Sequence, residues 1–270
     1  MADQAQLQEL CKTVRRDILT MIAQAGSGHP GGSLSATEIM VTLYFSVMKI
    51  NPQAPQDPDR DRFILSKGHV APVLYSVLAR RGYFDPAELQ TLRRFGSRLQ
   101  GHPHMASTPG LDCSSGSLGQ GLSIAAGLAL AGKKLGKTYR SYCLMGDGEI
   151  QEGQIWEAAM TAAHYGLDNL CAVVDWNGVQ LDGTTKEVMN VDPVADKFRS
   201  FGWNVLECDG HDLVQLQACF NQAQQEKGRP SVLVAKCVKG KGVSFMEGKS
   251  AWHGTAPNPQ QLEQALREIG

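Results

Sequence analysis

Short apolar segments alternate with helical ones along the second half of this chain, and this alternation constrains the fold most strongly. Four segments are predicted strands: Arg140 to Met145, Leu170 to Asp175, Trp203 to Cys208 and Ser231 to Val238. Helices are predicted between them, at Trp156 to Tyr165, Asp192 to Phe201 and Leu213 to Glu226. Nearly continuous apolar strands of this kind bury both faces. The sequence therefore predicts an α/β fold, with a parallel sheet flanked by helices on both faces.

The first half carries helix start signals. Ser35 and Glu38 have the spacing of a capping box, which predicts a helix through Val47. Asp85 and Pro86 predict another helix start. Further helices are predicted at residues 7–26, 87–94 and 117–135. No repeat, low-complexity tract or linker separates these elements, so we predict a single domain over residues 1–270.

Composition excludes several classes of function. The chain has 42% hydrophobic and 20% charged residues, which is ordinary for a globular protein, and its formal net charge is -1. We therefore expect binding neither to nucleic acid nor to an anionic membrane. No apolar run approaches the roughly 18 residues that span a bilayer, and the N-terminus has no signal-peptide pattern. The seven cysteines include no Cys-x-x-Cys pair, which predicts reduced, mostly buried thiols and a cytoplasmic location.

Two glycine-flanked polar residues follow neighbouring predicted strands. Asp147 lies in GDGE and Asn177 lies in WNG. Ligands of parallel sheets bind beyond the carboxyl ends of strands, and hard cations prefer oxygen ligands shared with phosphate groups. A lone GDG is also a common turn. The asparagine after the next strand, followed by Asp182 and Gly183, favours a metal site instead.

These motifs belong to a longer series that resembles the N-terminal, diphosphate-binding half of a transketolase. The series runs in family order along essentially the whole chain: SGHPGGSLS (27–35), SKGHV (66–70), GHP (101–103), GSLGQG (116–121), GDGEIQEGQIWEA (146–158), DWNGVQLDG (175–183), KGKGVSFME (239–247) and WHG (252–254). The resemblance implies the thiamine diphosphate-binding fold and ketol transfer as the reaction.

The resemblance also implies the cofactor and metal ligands. Mg²⁺, which Ca²⁺ or Mn²⁺ can replace, is expected on Asp147, Asn177 and the backbone carbonyl of Val179. Gly148 allows the diphosphate of thiamine diphosphate to approach, and His69 is also expected to contact the cofactor. The segment expected to contact its aminopyrimidine consists of Gly116, Ser117 and Leu118.

Four histidines lie beside glycine or proline, in predicted loops: His29, His69, His102 and His253. Any one of them is most simply a loop histidine bonded to its own backbone. Four in one chain favour proton transfer near neutral pH instead. The resemblance places them in the substrate channel and at the reacting centre. The other histidines, His104, His164 and His211, are interpreted as structural.

Two glutamates and a lysine have weaker signals. Glu152 and Glu157 follow GDG, where acids suit a helix N-terminus. The resemblance implies instead that Glu152, and with less support Glu157, links two active sites across a subunit interface. The KGKG run lacks the GxxxxGK[ST] frame of a phosphate-binding loop. Lys241 is therefore interpreted as a solvated charge rather than as part of the active-site rim.

The resemblance implies a missing part of the active site. In the family, a second domain carries the glutamate that activates the cofactor and the arginines that bind sugar phosphates. We therefore expect the pyrimidine-binding and C-terminal domains on a separate C-terminal transketolase subunit, in an α2β2 heterotetramer. The expected substrates are a ketose phosphate and an aldose phosphate, as in pentose phosphate metabolism.

Two alternatives remain open. Other thiamine diphosphate enzymes carry a GDG and a downstream asparagine, including the alpha chain of 2-oxoacid dehydrogenases and deoxyxylulose phosphate synthase. A non-catalytic scaffold that has kept the fold is the second alternative. The retained Asp147, Asn177 and loop histidines favour the enzyme.

Overall fold

A five-stranded parallel sheet forms the centre of the computed structural model, which describes residues 3–270. The strands stand in the order β1-β2-β3-β5-β4, and every neighbouring pair is parallel. Their bounds are β1 Arg62–Leu65, β2 Ser141–Gly146, β3 Leu170–Trp176, β4 Asn204–Asp209 and β5 Ser231–Lys236. The predicted fold class is confirmed.

Helices cover both faces of this sheet. The sheet's side chains divide into two buried apolar clusters, one on each face. Helices α1 Gln4–Ala25, α3 Thr37–Thr42, α4 Ala71–Arg81, α9 Leu213–Gln225 and α10 Pro259–Ile269 contribute to the first cluster. Helices α5 Gly121–Lys134, α6 Gly153–His164 and α8 Val194–Ser200 contribute to the second. The short helices α2 Pro30–Ser35 and α7 Thr185–Val188 complete the set, and the central strands are buried because both faces are covered.

The predicted capping box at Ser35 and Glu38 is wrong. Helix α3 begins after Ala36 without a side-chain cap, and a π-helical turn, Leu43–Val47, follows it. The Ser35 hydroxyl instead donates a 2.7 Å hydrogen bond to Asp175, and Glu38 binds Arg15. Both side chains are buried, where a polar partner matters more than a local cap.

Other helix predictions differ in their bounds. Asp85 caps Ala87 as predicted, but a 3₁₀ helix, Pro86–Thr91, follows in place of an α-helix through Arg94. Helix α5 begins at Gly121 rather than at residue 117, because residues 116–120 form a loop in which Gly119 N donates a hydrogen bond to the Glu149 side chain. Strand β1 and the helices α2, α4, α7 and α10 were not predicted. No helix within residues 3–270 is long and apolar enough to cross a membrane.

Candidate active site

One cavity of about 400 Å³ lies beyond the carboxyl ends of β2 and β3. It collects eleven of the residues predicted for the site: His29, His69, His102, Gly116, Leu118, Asp147, Gly148, Glu152, Asn177, Val179 and His253. Ser117 is exposed and lines an adjoining cleft together with Gly116. Segments from residue 29 to residue 253 therefore meet at one edge of the sheet, as ligand sites of parallel sheets do.

Asp147 is a buried carboxylate held by backbone donors. Its two oxygens accept hydrogen bonds from Gly148 N at 2.8 Å and from Gly178 N at 2.5 Å. No lysine or arginine of residues 3–270 forms an ion pair with it, and its side chain is 2% exposed. Burial raises its pKa to about 6, and the negative charge of Asp175 adds to this effect. A cation would relieve the cost of this buried charge.

Asn177 and Val179 stand beside this carboxylate. The register opposes Gly146 to Asp175, so the residues that follow β2 and β3 meet. The Asn177 side chain accepts from Val179 N at 3.1 Å, and the Val179 carbonyl accepts from Lys239 Nζ at 3.0 Å. Carbonyl and amide oxygens each have two lone pairs, so both can also bind a cation. This oxygen donor set fits Mg²⁺ and resembles no zinc site.

Two buried lysines balance the acidic groups around the cavity. Lys67 pairs with Asp175, which is fully buried below the cavity. Lys239 is 2% exposed, and burial lowers its pKa to about 8. Two lysines face the carboxylates of Asp147, Glu149 and Asp175. A bare diphosphate would add further negative charge to these carboxylates. A diphosphate that arrives with a divalent cation adds less, so it suits the site better.

Three histidine rings form a cluster on the cavity wall. The His29 centroid lies 5.1 Å from that of His69 and 5.5 Å from that of His253, and the rings of His69 and His253 stack at 5.1 Å. Burial lowers the pKa of His29 and of His253 to about 4, and it holds the pKa of His69 well below the usual value. His102 stands apart from the cluster, against Gly116, and burial lowers its pKa as well. All four rings are thus neutral at pH 7.

The structure defines how one of these rings is protonated. Lys239 Nζ lies 2.9 Å from His253 Nδ1. Because the ammonium can only donate, Nδ1 accepts and the ring proton lies on Nε2. The buried Nδ1 of His29, by contrast, has no hydrogen-bond partner within residues 3–270. The cluster therefore offers the Nε2–H of neutral His253 as a donor and the unsatisfied Nδ1 of His29.

Glu149 holds the loop that brings Gly116 and Leu118 to the cavity wall. Its carboxylate accepts from the Ser66 hydroxyl, from Gly119 N at 3.0 Å and from Gly146 N at 3.0 Å. Gly119 has a φ of +83°, and a Cβ there would lie 2.7 Å from Glu152 Cβ. Glu152 itself is exposed at the cavity rim. The loop at 116–119 is thus fixed to the end of β2 by a buried acid.

Four residues of the site were not predicted individually: Lys67, Glu149, Asp175 and Lys239. Lys67 and Asp175 belong to quoted motifs, SKGHV and DWNGVQLDG. Asp175 ends a predicted strand, which was an available signal, whereas the strand before Lys67 was not predicted. The KGKG run does contribute a cavity lysine, Lys239. Lys241 is half-exposed beside Glu247, in agreement with a solvated charge. His211 is bonded on both ring nitrogens outside the cavity.

The fold and the cavity define an α/β protein with oxygen ligands for a hard cation beside glycine loops, the class of thiamine diphosphate-binding domains. The family model described as "Transketolase, thiamine diphosphate binding domain" matches residues 6–270. The chain belongs to the transketolase family, and the resemblance predicted from its motifs is confirmed.

Two relatives are subunits of nearly the same length. The chain is 44% identical over 266 residues to the 6-deoxy-6-sulfo-D-fructose transketolase subunit SqwG of Clostridium sp. (strain MSTE9), covering 98% of this chain and 97% of that subunit. It is 41% identical over 255 residues to an apulose-4-phosphate transketolase subunit of Phocaeicola vulgatus, covering 94% of this chain and 90% of that subunit.

Single-chain transketolases are more than twice as long. Human transketolase is 42% identical over 271 residues, which make up 99% of this chain but 43% of the human protein. The crystal structure of transketolase from Campylobacter jejuni superimposes with a TM-score of 0.93 at 32% identity, covering 100% of this chain and 43% of that one. The transketolase from Leishmania mexicana gives a TM-score of 0.95 at 30% identity.

Proposed function

We propose that this chain binds thiamine diphosphate with Mg²⁺ and forms part of a transketolase active site. The reaction is reversible transfer of a two-carbon ketol group from a ketose phosphate to an aldose phosphate. The observation that carries the proposal is the cavity itself, which brings together three neutral histidines and the buried carboxylate of Asp147, a group with no ion-pair partner among residues 3–270. The relatives are transketolases or transketolase subunits.

The residues of this chain divide into two groups by the part of the cofactor they serve. Asp147, Asn177 and the Val179 carbonyl hold the metal. Gly148 lines the cavity and has no side chain, which leaves room for the diphosphate. The segment Gly116, Ser117 and Leu118 borders the aminopyrimidine. When bound, thiamine diphosphate supplies a nucleophilic carbon that carries the two-carbon unit, while the protein orients the reactants.

The histidines handle hydroxyl groups and protons. His29, His69 and His253 are neutral, so each offers one N–H donor and one acceptor to a sugar hydroxyl. His253 is oriented by Lys239, which directs its Nε2 proton away from that lysine. His102 serves the same purpose from its position beside Gly116. Neutral imidazoles accept a proton without a prior deprotonation step.

A second chain completes the site. Single-chain transketolases are more than twice as long as the region matched here, whereas the relatives named as subunits match over nearly their whole length. Apolar side chains are exposed near the cavity, with Leu181 60% and Leu118 38% exposed. We infer a single diphosphate-binding domain, a separate subunit with the pyrimidine-binding and C-terminal domains, and an α2β2 assembly in which Glu152 lies at the interface.

The test is ketol transfer from xylulose 5-phosphate to ribose 5-phosphate, measured with thiamine diphosphate and Mg²⁺. The chain is assayed alone and together with the subunit that co-purifies with it. We expect that only the mixture is active and that Asp147→Ala abolishes this activity. Activity of the isolated chain would overturn the shared site. 6-Deoxy-6-sulfofructose and apulose 4-phosphate, the sugars in the relatives' names, are tested as donors in parallel.

A further inference from the structure

Lys239 reaches the cavity from a turn that is anchored on both sides. Its ammonium contacts the carbonyls of Val179 and Gln180 and the ring of His253. The residue before it, Val238, donates its backbone N–H to His211 Nε2 at 2.8 Å. Two residues after it, the carbonyl of Lys241 accepts from Arg15 Nε at 3.1 Å. Neither His211 nor Arg15 lines the cavity.

Both anchors meet at one buried carboxylate. Glu38 accepts two hydrogen bonds from Arg15, at 2.6 and 2.8 Å, and it lies 2.9 Å from His211 Nδ1. Arg15 is 8% exposed and Glu38 is 7% exposed. Helix α1, helix α3 and the loop before α9 are thereby joined behind the turn. A bidentate arginine–carboxylate pair is geometrically strict, so this junction has little freedom.

The hydrogen-bond directions are determined by the chemistry of the partners. A backbone N–H can only donate, so His211 Nε2 accepts from Val238 and the ring proton lies on Nδ1. That proton is donated to Glu38. Burial by itself would raise the pKa of Glu38, but the hydrogen bond from His211 and the charge of Arg15 hold its pKa below the usual value. Glu38 is therefore an anion that orients both partners.

We propose that Arg15, Glu38 and His211 are positioning residues for Lys239. They fix the backbone on each side of it, and the fixed backbone aims the ammonium at the Val179 carbonyl and at His253. The role goes beyond general stability because both contacts fall on the four-residue turn at 238–241. Its effect on the cofactor rests on the proposed function, whereas its effect on the turn does not.

The test compares Glu38→Gln with a matched control on helix α1. Asp17 also forms a two-point pair with an arginine, Arg80, at 2.6 and 2.9 Å, but it has no contact with the turn. Asp17→Asn therefore reproduces the loss of an ion pair without the loss of the anchors. Amide hydrogen exchange of Gly240 and Gly248 reports on the turn, since these amides bond to Gly31 O and Lys239 O at 2.9 Å.

A second pair of variants tests the role of the histidine. His211→Gln keeps an acceptor for the Val238 N–H, whereas His211→Leu does not. Binding of thiamine diphosphate is measured for every variant in the full chain together with its co-purifying subunit. Loss of a hydrogen bond to a charged group is expected to weaken this binding roughly tenfold.

In Glu38→Gln we expect both amides to exchange roughly tenfold faster than in Asp17→Asn. We also expect the dissociation constant for thiamine diphosphate to be roughly tenfold higher in Glu38→Gln than in Asp17→Asn. His211→Leu should behave like Glu38→Gln, and His211→Gln should recover most of the protection. Equal exchange in Glu38→Gln and Asp17→Asn would overturn the positioning role. If the unaltered protein binds no thiamine diphosphate, the proposed function fails, and the exchange data still decide this inference.

Discussion

The Asp147 carboxylate accepts a hydrogen bond from the backbone N–H of Gly178 at 2.5 Å, which places it directly against the turn that carries Asn177. Asp147 and Asn177 are 30 positions apart in the sequence. They meet because β2 and β3 are paired in parallel and both end at this edge. The metal site proposed here depends on that single juxtaposition.

Asp147→Asn should greatly weaken the binding of Mg²⁺ and thiamine diphosphate. The substitution keeps the size of the side chain but removes the buried charge that a cation would neutralise. Loss of a group that only supports a metal ligand costs about 10–100-fold in affinity, so loss of the ligand charge should cost at least about 100-fold. Calorimetric titration with Mg²⁺ and cofactor measures this.

The matched control is Asp182→Asn, which alters an exposed aspartate in the segment after the same turn. We expect its affinity to remain within about twofold of the unaltered protein, because an exposed charge is screened by water and salt. Similar losses in both variants would contradict a metal site at Asp147.

His29→Gln should change how stability depends on pH. Burial lowers the pKa of His29 to about 4 in the folded chain, below its ordinary value of 6.5. The unfolded state therefore binds more protons between about pH 4 and 6.5, so the stability contributed by the neutral ring is lost as pH falls through this range. Thermal unfolding of the cofactor-free chain from pH 4 to pH 8 measures it.

In His29→Gln the loss of stability on acidification should be smaller, because one group that must charge is gone. His164→Gln is the control, since that ring is exposed at the end of α6 and lies outside the cavity. The hypothesis fails if the two variants shift the profile equally.

How much could be predicted depended on whether a residue's partner is local or distant. Strands β2 to β5 and most helices follow from apolar periodicity, and the proximity of Asp147 to Asn177 follows from their position at strand ends. The capping box at Ser35 failed because a buried aspartate 140 residues away takes its hydroxyl. Likewise, Lys67 and Asp175 look unremarkable until β1, a short unpredicted strand at the edge of the sheet, brings them together.

Glu149→Gln should destabilise the chain and loosen the loop at 116–119. The carboxylate accepts from Ser66, Gly119 and Gly146, and glutamine has only one acceptor oxygen with which to replace two. A buried group left unsatisfied costs about 1–3 kcal/mol. Denaturant unfolding measures the loss, and the rate of proteolysis within residues 113–120 reports on the loop.

Glu157→Gln is the comparison for this prediction, because Glu157 lies on α6 and is exposed. A surface substitution of this kind usually changes stability by less than about 0.5 kcal/mol. If Glu149→Gln were equally neutral, the loop would not depend on the buried acid.

Gly31→Ala should disturb the cavity from its N-terminal side. A Cβ at this position would lie 2.8 Å from the Trp252 carbonyl oxygen and 3.1 Å from Lys239 Cγ. Backbone at Trp252 would have to shift, and His253 is the next residue. Overpacking of this kind costs about 1–3 kcal/mol.

In Gly127→Ala, by contrast, the new Cβ meets nothing within 4 Å on helix α5, where alanine is favoured by roughly 0.5–1 kcal/mol. The expected result is therefore opposite shifts in the unfolding midpoint. Weaker binding of thiamine diphosphate is expected for Gly31→Ala alone, and unchanged binding would show that the Trp252–His253 segment tolerates displacement.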